Sequence, residues 1–326
     1  MSFSISGTGS SLPREIVTNQ RLGSFLDTSD EWIKSRTGIQ ERHVCTEETL
    51  RDLSVNAAID ALADAGIEAA QLDLIICSTI TPDHFVPSLS CEVQKAIGAL
   101  CPAFDINAAC SGFLYALDIA EGYFKKKKDS KILIISADAM SKLVDWRDRS
   151  ICVLFADGAG AVVLTQGNDL KAIKLTAKGD DQVIAANGPQ GNSPFAVMEP
   201  YDPFVRMSGQ EVYRFAVSSS VRDLANVLEM SNLQEGDIDI VLLHQANARI
   251  LEAVSARMKI PQDKFPSNIA HCGNTSSASI PILLDELNRA GKLKPGMMLA
   301  MSAFGGGLTT GACILRWQGT NLSNHQ

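Results

Sequence analysis

The chain has no Cys-x-x-Cys pair, no apolar run of membrane-spanning length, no excess of basic residues and few aromatic side chains. Each absence removes a class of protein. Without paired spacings, the eight cysteines at 45, 77, 91, 101, 110, 152, 272 and 313 read as reduced thiols, forming neither a disulfide frame nor a zinc site. Cys77 in Leu-Ile-Ile-Cys and Cys313 in Ala-Cys-Ile-Leu lie inside apolar segments. Without a stretch of about 20 apolar residues, no helix is expected to span a membrane. The start, Met1-Ser-Phe-Ser-Ile-Ser-Gly, lacks a basic region followed by a long apolar one, so a cytoplasmic location is expected. A net charge of −8 gives no general attraction to nucleic acid or to an anionic membrane, and an acidic partner would need a local basic patch.

What is present points to layered helices and sheet. A chain of 326 residues holds about two domains by size. Thr28 to Gly38 carries a cap-like start and a glycine stop, and Leu50 to Ala65 is amphipathic and ends at Gly66; both predict helices. Leu72–Thr79 and Lys131–Ala137 predict buried strands, with helices over Pro87–Ile97 and after Cys110. Ile151–Leu164 reads as a pair of strands around a glycine turn. Alternating strand and helix argue for an α/β layered protein.

The second half repeats this order. Ile238–Leu243 resembles Leu72–Cys77 (238 − 72 = 166), and Met297–Ala303 resembles Lys131–Ala137 (297 − 131 = 166). Asn274 and the apolar run after it fall where the first half carries Cys110 and its helix (274 − 110 = 164). Gly311–Leu315 answers Gly160–Leu164 at a shorter offset (311 − 160 = 151). A duplication explains the shared order, with halves at 1–168 and 169–326, and it makes loops from both halves converge on one site. The segment 179–206, rich in Gly and Pro, is either a binding loop or a flexible excursion.

Cys110 stands in Asp105-Ile-Asn-Ala-Ala-Cys110-Ser-Gly, where an apolar run ends and Phe113, Leu114, Leu117 and Ile119 begin a helical pattern. Unpaired N–H groups at a helix start favour negative charge, so a lowered thiol pKa is expected. For a cysteine taken alone, burial in a tight packing site is the better reading. His244-Gln-Ala-Asn247 follows the strand Ile238–Leu243, an end that commonly faces a site in α/β folds. Asn274 sits in the position equivalent to Cys110. Thiol, imidazole and amide form a recurrent catalytic set. Phe304-Gly-Gly-Gly307 can bring backbone N–H groups close to an oxyanion, but no Gly-Lys-Ser/Thr follows, so it is no phosphate loop.

Seven motifs in this order carry a family resemblance: Asp30-Glu-Trp-Ile-x-x-Arg36-Thr-Gly-Ile, Ala108-Ala-Cys110-x-Gly-Phe, Asp148-Arg149, Phe155-x-Asp-Gly-Ala-Gly-Ala, His244-Gln-Ala-Asn247-x-Arg249, Gly273-Asn274-Thr-Ser-x-Ala-Ser and Ala303-Phe304-Gly-Gly-Gly307. The chain resembles the β-ketoacyl-acyl carrier protein synthase III family of initiating condensing enzymes, from its first residues to about Trp317. The resemblance implies a thiolase-like five-layered αβαβα architecture, a homodimer, and no tightly bound cofactor or metal. Its implied substrates are an acyl-CoA and malonyl-acyl carrier protein. It implies Cys110 as acyl-carrying nucleophile, with the N–H groups of Cys110 and Gly306 as oxyanion donors. His244 and Asn274 would then bind the malonyl thioester carbonyl, and Phe304 would exclude water. Trp32 and Arg149 would sandwich the CoA adenine, Arg36 would meet a CoA phosphate, and Asn247 and Gly209 would line the pantetheine arm. Arg249 and Arg214 would dock the carrier protein, and Phe85 and Phe155 would shape the acyl pocket. Phe85 and the 188–204 loop depart from the family pattern, which bears on the acyl group accepted and leaves the chemistry alone.

Overall fold

Alternate residues of the central strands face two different cores. The computed structural model describes residues 2–195, 197 and 200–320. Met1, positions 196, 198 and 199 of the 179–206 loop, and the end of the second half beyond 320 lie outside the described residues.

In the first half, strand β1 (Ser2–Ser11) is followed by the short β2 (Ile16–Thr18), helices α1 (Asn19–Leu22) and α2 (Asp30–Thr37), and β3 (Glu41–His43). Then come α3 (Leu50–Ala65), β4 (Leu74–Ser78), α4 (Leu89–Ile97), β5 (Ala103–Ile106), α5 (Gly112–Lys126), β6 (Ile132–Ala139) and β7 (Asp157–Gly167). Helix α2 has the cap-like start the sequence promised, and both α2 and α3 stop at glycine as expected. Ser29 accepts from the Trp32 N–H before α2, and Thr49 and Asp52 form a reciprocal capping box at α3, which stops at Gly66.

The second half contributes β8 (Leu170–Asp180), β9 (Ile184–Ala185), β10 (Arg206–Met207), α6 (Gly209–Ser231), β11 (Ile240–Leu243), α7 (Ala248–Met258), α8 (Ile269–Cys272), α9 (Ser279–Arg289), β12 (Met298–Gly305) and β13 (Gly307–Arg316). One sheet has the order β1-β7-β6-β4-β5 and the other β8-β13-β12-β11. The sense of pairing also agrees: β4 runs parallel to β6 as β11 does to β12, while β7 and β13 are antiparallel to both their neighbours.

Helices α5 and α9 lie between the sheets, α3 and α4 cover one outer face, and α6 and α7 cover the other, giving five layers. Leu74 and Ile76 of β4 enter the middle core with Phe113 and Leu117 of α5, whereas Ile75 and Cys77 enter the outer core under α3. This period of two on a strand buried on both faces explains its continuous apolar run. Each fully buried aliphatic side chain contributes roughly 1.5–3 kcal/mol.

Two expectations are corrected. Ile151–Leu164 is no strand pair: 151–154 is a largely buried turn, Phe155 makes a lone β-bridge with Asn274, and β7 is one strand that runs straight through its glycines. Gly160 is there for contact, since a Cβ would lie 2.8 Å from the Ile282 nitrogen at the start of α9. Ile119 is 38% exposed, because Ala116 and Ala120 complete the buried face of α5.

Candidate active site

Cys110 is set by an unusual backbone turn. After β5, the chain makes a one-turn 3-10 helix over Ala109–Ser111 and enters α5, with Ala109 in the left-handed region at φ 46°. The second half does the same: Ser276 has φ 53°, a 3-10 turn covers Ser276–Ala278, and α9 follows. Both features give one offset (276 − 109 = 167; 279 − 112 = 167). Ser277 is therefore the backbone counterpart of Cys110, and Asn274 that of Asn107 (274 − 107 = 167), which corrects the equivalence read from sequence. Aligning chemically interesting residues slipped the register by three; only backbone conformation fixes it.

Cys110, His244, Asn274 and Phe304 all line one cavity of about 420 Å³, which also reaches Trp32, Arg36, Gly209, Asn247 and Arg249. A second cavity of about 440 Å³ shares Cys110, Phe155 and Ile184 with the first and adds Phe85, Met140, Leu143, Val205 and Gly306. Cys110 stands where the two meet. Gly305 makes room for it, since a Cβ there would lie 2.7 Å from the Cys110 nitrogen.

The thiol is not electrostatically primed. Burial pushes the Cys110 thiol up to about 12, with the Asp138 carboxylate adding to the effect and the Ser276 hydrogen bond opposing it. The shift runs opposite to the lowering expected from the helix start, and its leading cause is the cost of taking a thiolate out of water. Ser276 Oγ donates to Cys110 Sγ at 3.4 Å. Asp138 is fully buried and accepts from the Ile80 N–H (2.8 Å) and from Ser277 Oγ (2.9 Å), tying the strand ends of β4 and β6 to the α9 turn.

His244, 1% exposed, is held at both ends of its residue. Its N–H donates to the Ser302 carbonyl at 2.9 Å, and its Nδ1 lies 2.7 Å from Ser279 Oγ. The Gln245 N–H donates to the same hydroxyl oxygen at 3.3 Å. With that bond accepted, the hydroxyl has its own hydrogen to offer Nδ1, an arrangement that puts the imidazole proton on Nε2. Burial lowers the His244 pKa to about 3, so the ring is neutral. The Phe304 ring packs edge-on against it at 5.1 Å between centroids. Asn274 accepts from the Ser276 N–H at 3.0 Å through Oδ1, and its backbone is clamped between Leu154 and Ala156.

At the outer end, the Arg149 and Arg36 guanidinium carbons lie 5.2 and 5.6 Å from the Trp32 ring centroid. Arg149 also bonds Asp27. Asn247 caps α7, accepting from the Arg249 N–H and donating to the Arg36 carbonyl, and Arg249 donates to the Ser35 carbonyl. Gly209 opens α6 beside the cavity. Arg214 lies on α6, exposed, and is not among the residues lining that cavity. Sequence reasoning missed Ser276, Ser279 and Asp138. Nothing in the serine-rich start of α9 told which side chain would meet the thiol and which the imidazole.

The five-layered arrangement of two like sheets places the chain in the thiolase-like class of acyl-transferring condensing enzymes. Two family models match, "3-Oxoacyl-[acyl-carrier-protein (ACP)] synthase III" over residues 104–180 and its C-terminal counterpart over 228–317. A β-ketoacyl-[acyl-carrier-protein] synthase III of Clostridium perfringens is 44% identical over 96% of this chain and 98% of its own. The crystal structure of 3-oxoacyl-[acyl-carrier-protein] synthase III from Aquifex aeolicus VF5 superposes with a TM-score of 0.90 at 43% identity, covering 97% of this chain and 100% of that one. The priming β-ketosynthase of the R1128 polyketide biosynthetic pathway also has a TM-score of 0.90, at 31% identity, covering 97% and 96%. The chain belongs to the β-ketoacyl-acyl carrier protein synthase III family.

Proposed function

We propose that this enzyme starts fatty acid synthesis by condensing a short acyl-CoA with malonyl-acyl carrier protein through an acyl-Cys110 intermediate, in the cytoplasm. The observation that carries the reading is the position of Cys110 at the junction of two cavities, one also lined by His244 and Asn274. The first takes the CoA arm and then the carrier-protein arm; the second takes the acyl chain beside Phe85 and Phe155.

In the first step the Cys110 sulfur bonds the acyl carbon, the CoA sulfur leaves, and the thiol proton goes with it. The N–H groups of Cys110 and Gly306 hold the transient oxyanion. In the second step the Nε2–H of neutral His244 and the amide NH₂ of Asn274 donate to the malonyl thioester carbonyl. The bond to CO₂ breaks, its electron pair forms the enolate, and Phe304 keeps water from the departing carboxylate. The enolate carbon bonds the acyl carbon, and Cys110 leaves and regains a proton from solvent. Thiol, imidazole and amide supply these steps without a metal or tightly bound cofactor.

Trp32 and Arg149 receive the adenine, Arg36 a CoA phosphate, and Gly209 and Asn247 the pantetheine. An adenine between two faces needs about 7 Å, twice a ~3.5 Å contact, so Arg149 swings outward from its present stack. Arg249 and Arg214 offer the carrier protein local positive charge on an acidic enzyme. Phe85 and Val86, 74% and 88% exposed, fit the interface of a homodimer in which each copy closes its partner's acyl pocket. The chain is read as two halves, 1–168 bearing Cys110 and 169–326 bearing His244 and Asn274.

Purified protein given acetyl-CoA and malonyl-acyl carrier protein is expected to release CO₂ and to show an acyl adduct on Cys110 by mass spectrometry. Adduct without CO₂ from any short acyl-CoA would favour a same-fold acyltransferase or condensing enzyme of secondary metabolism, a reading supported by the likeness to the R1128 priming enzyme. Rapid thioester hydrolysis without acceptor would point to a hydrolase.

A further inference from the structure

Away from the two cavities, α8 brings His271 and Cys272 against Glu286 of α9. His271 Nε2 lies 3.1 Å and Cys272 Sγ 3.5 Å from Glu286 Oε1, and the three donor atoms all fall within 4.8 Å of one another. Zinc, with nitrogen and oxygen ligands near 2.0 Å and sulfur near 2.3 Å, sets tetrahedral ligand atoms roughly 3.3–3.6 Å apart. Two of the three edges are already close to that spacing. Cys272 is 1% exposed while His271 is half-exposed, so a soft donor is buried at the base of a site with an open side.

The local charge favours a cation. Glu41 follows Gln40, whose N–H donates to the Ala270 carbonyl of α8, so a second carboxylate stands at the same corner.

We propose that His271, Cys272 and Glu286 form a binding site for a soft divalent cation of the zinc type. His271 binds as neutral imidazole and Glu286 as carboxylate, while Cys272 loses its S–H proton to water as the metal–sulfur bond forms. The ion would join α8 to α9 across residues 273–278. That segment carries Asn274 and Ser276 and leads into Ser279, the partner of His244, so occupancy would brace the side chains that face the thiol.

The test uses full-length protein carrying Cys110→Ser, which removes the thiol of the acyl site as a competing ligand. Cobalt(II) is expected to give a thiolate-to-cobalt charge-transfer band that saturates at one ion per chain and is bleached by zinc(II). Zinc(II) should also raise the thermal midpoint. Adding Cys272→Ser should abolish the band, and His271→Asn or Glu286→Gln should each weaken binding by more than the roughly 10–100-fold that loss of an outer-shell partner costs. His271 is half-exposed, so His271→Asn retains the fold, checked by an unchanged circular dichroism spectrum and thermal midpoint without added metal. Absence of the band, or a band that survives Cys272→Ser or is indifferent to His271→Asn and Glu286→Gln, would overturn the proposal.

Discussion

The turns that open α5 and α9 share one backbone and have diverged in what they carry. Each has a residue in the left-handed region, then a 3-10 turn, then a helix buried between the sheets. In the first the next residue is Cys110, which opens into both cavities; in the second it is Ser277, whose hydroxyl is spent on buried Asp138. One turn presents a reactive atom, and the other supplies the hydroxyls and amide that surround it. Holding non-glycine residues at positive φ costs of order 1–3 kcal/mol each. That both turns keep it places the strain where two halves must meet closely.

The sharpest way to break the comparison is to exchange the roles by substitution. Cys110→Ser should lower condensation by about 10³-fold or more, because the hydroxyl is a far weaker nucleophile without a base. Ser277→Ala should leave condensation within a few-fold in rate and cost about 1–2 kcal/mol in a denaturant titration through the stranded Asp138. Equal loss of rate in the two variants would remove the distinction.

Next come the groups gathered by the second turn. His244→Ala or Asn274→Ala should lower condensation by about 10²–10³ while acylation of Cys110 by acyl-CoA survives. Loss of acylation in both would mean that they act on the thiol instead.

Smaller effects follow from the glycines that let the halves approach. Gly305→Ala and Gly160→Ala should each destabilise by roughly 1–3 kcal/mol through overpacking. Only Gly305→Ala should also slow acylation, since its Cβ meets the Cys110 nitrogen.

Last is pH. With the thiol near 12, alkylation of Cys110 by iodoacetamide, taken as the difference from Cys110→Ser, should keep rising with pH and show no plateau near neutrality. A plateau below pH 8 or so, as helix-start thiolates give, would restore the dipole account. His244 titrates near 3 when folded against an ordinary 6.5, so the unfolded chain binds its proton first. The stability it contributes is full above about 6.5 and is lost as pH falls toward 3. Asp138 and Asp157, raised by burial, act in the opposite sense, so the measurement is the difference in acid dependence between the enzyme and His244→Asn. Identical curves would contradict a buried, neutral His244.

Much of the fold was legible in the residues. The start of α2 was announced by a cap-like segment and the ends of α2 and α3 by glycine stops, and β4, β6, β11 and β12 by short apolar runs. β7 was misread because a glycine can mark a turn or a close contact, and only the position of α9 tells which. The motif series pointed to Cys110, His244, Asn274 and Phe304, which line one cavity. Asp138 and Ser279 were invisible, since an acid under a strand end and a serine at a helix start look the same whether they orient a catalytic group or simply cap a turn. Cys272 was set aside for want of ligand spacing, and its neighbour Glu286 comes from a different helix.

The sequence by itself determined the family, the central strands and several of the helices, and which side chains could do chemistry, because periodicity, caps and motifs are local along the chain. Only the tertiary structure decided that burial pushes the thiol pKa up, that the Ser279 hydroxyl faces Nδ1 of the imidazole, and that Ser277 rather than Asn274 matches Cys110. Those properties depend on burial and on partners 28 to 166 residues away, such as Asp138 and Ser276 for the thiol and Ser279 for the imidazole. Desolvation and hydrogen bonding act through space, and no local pattern encodes them.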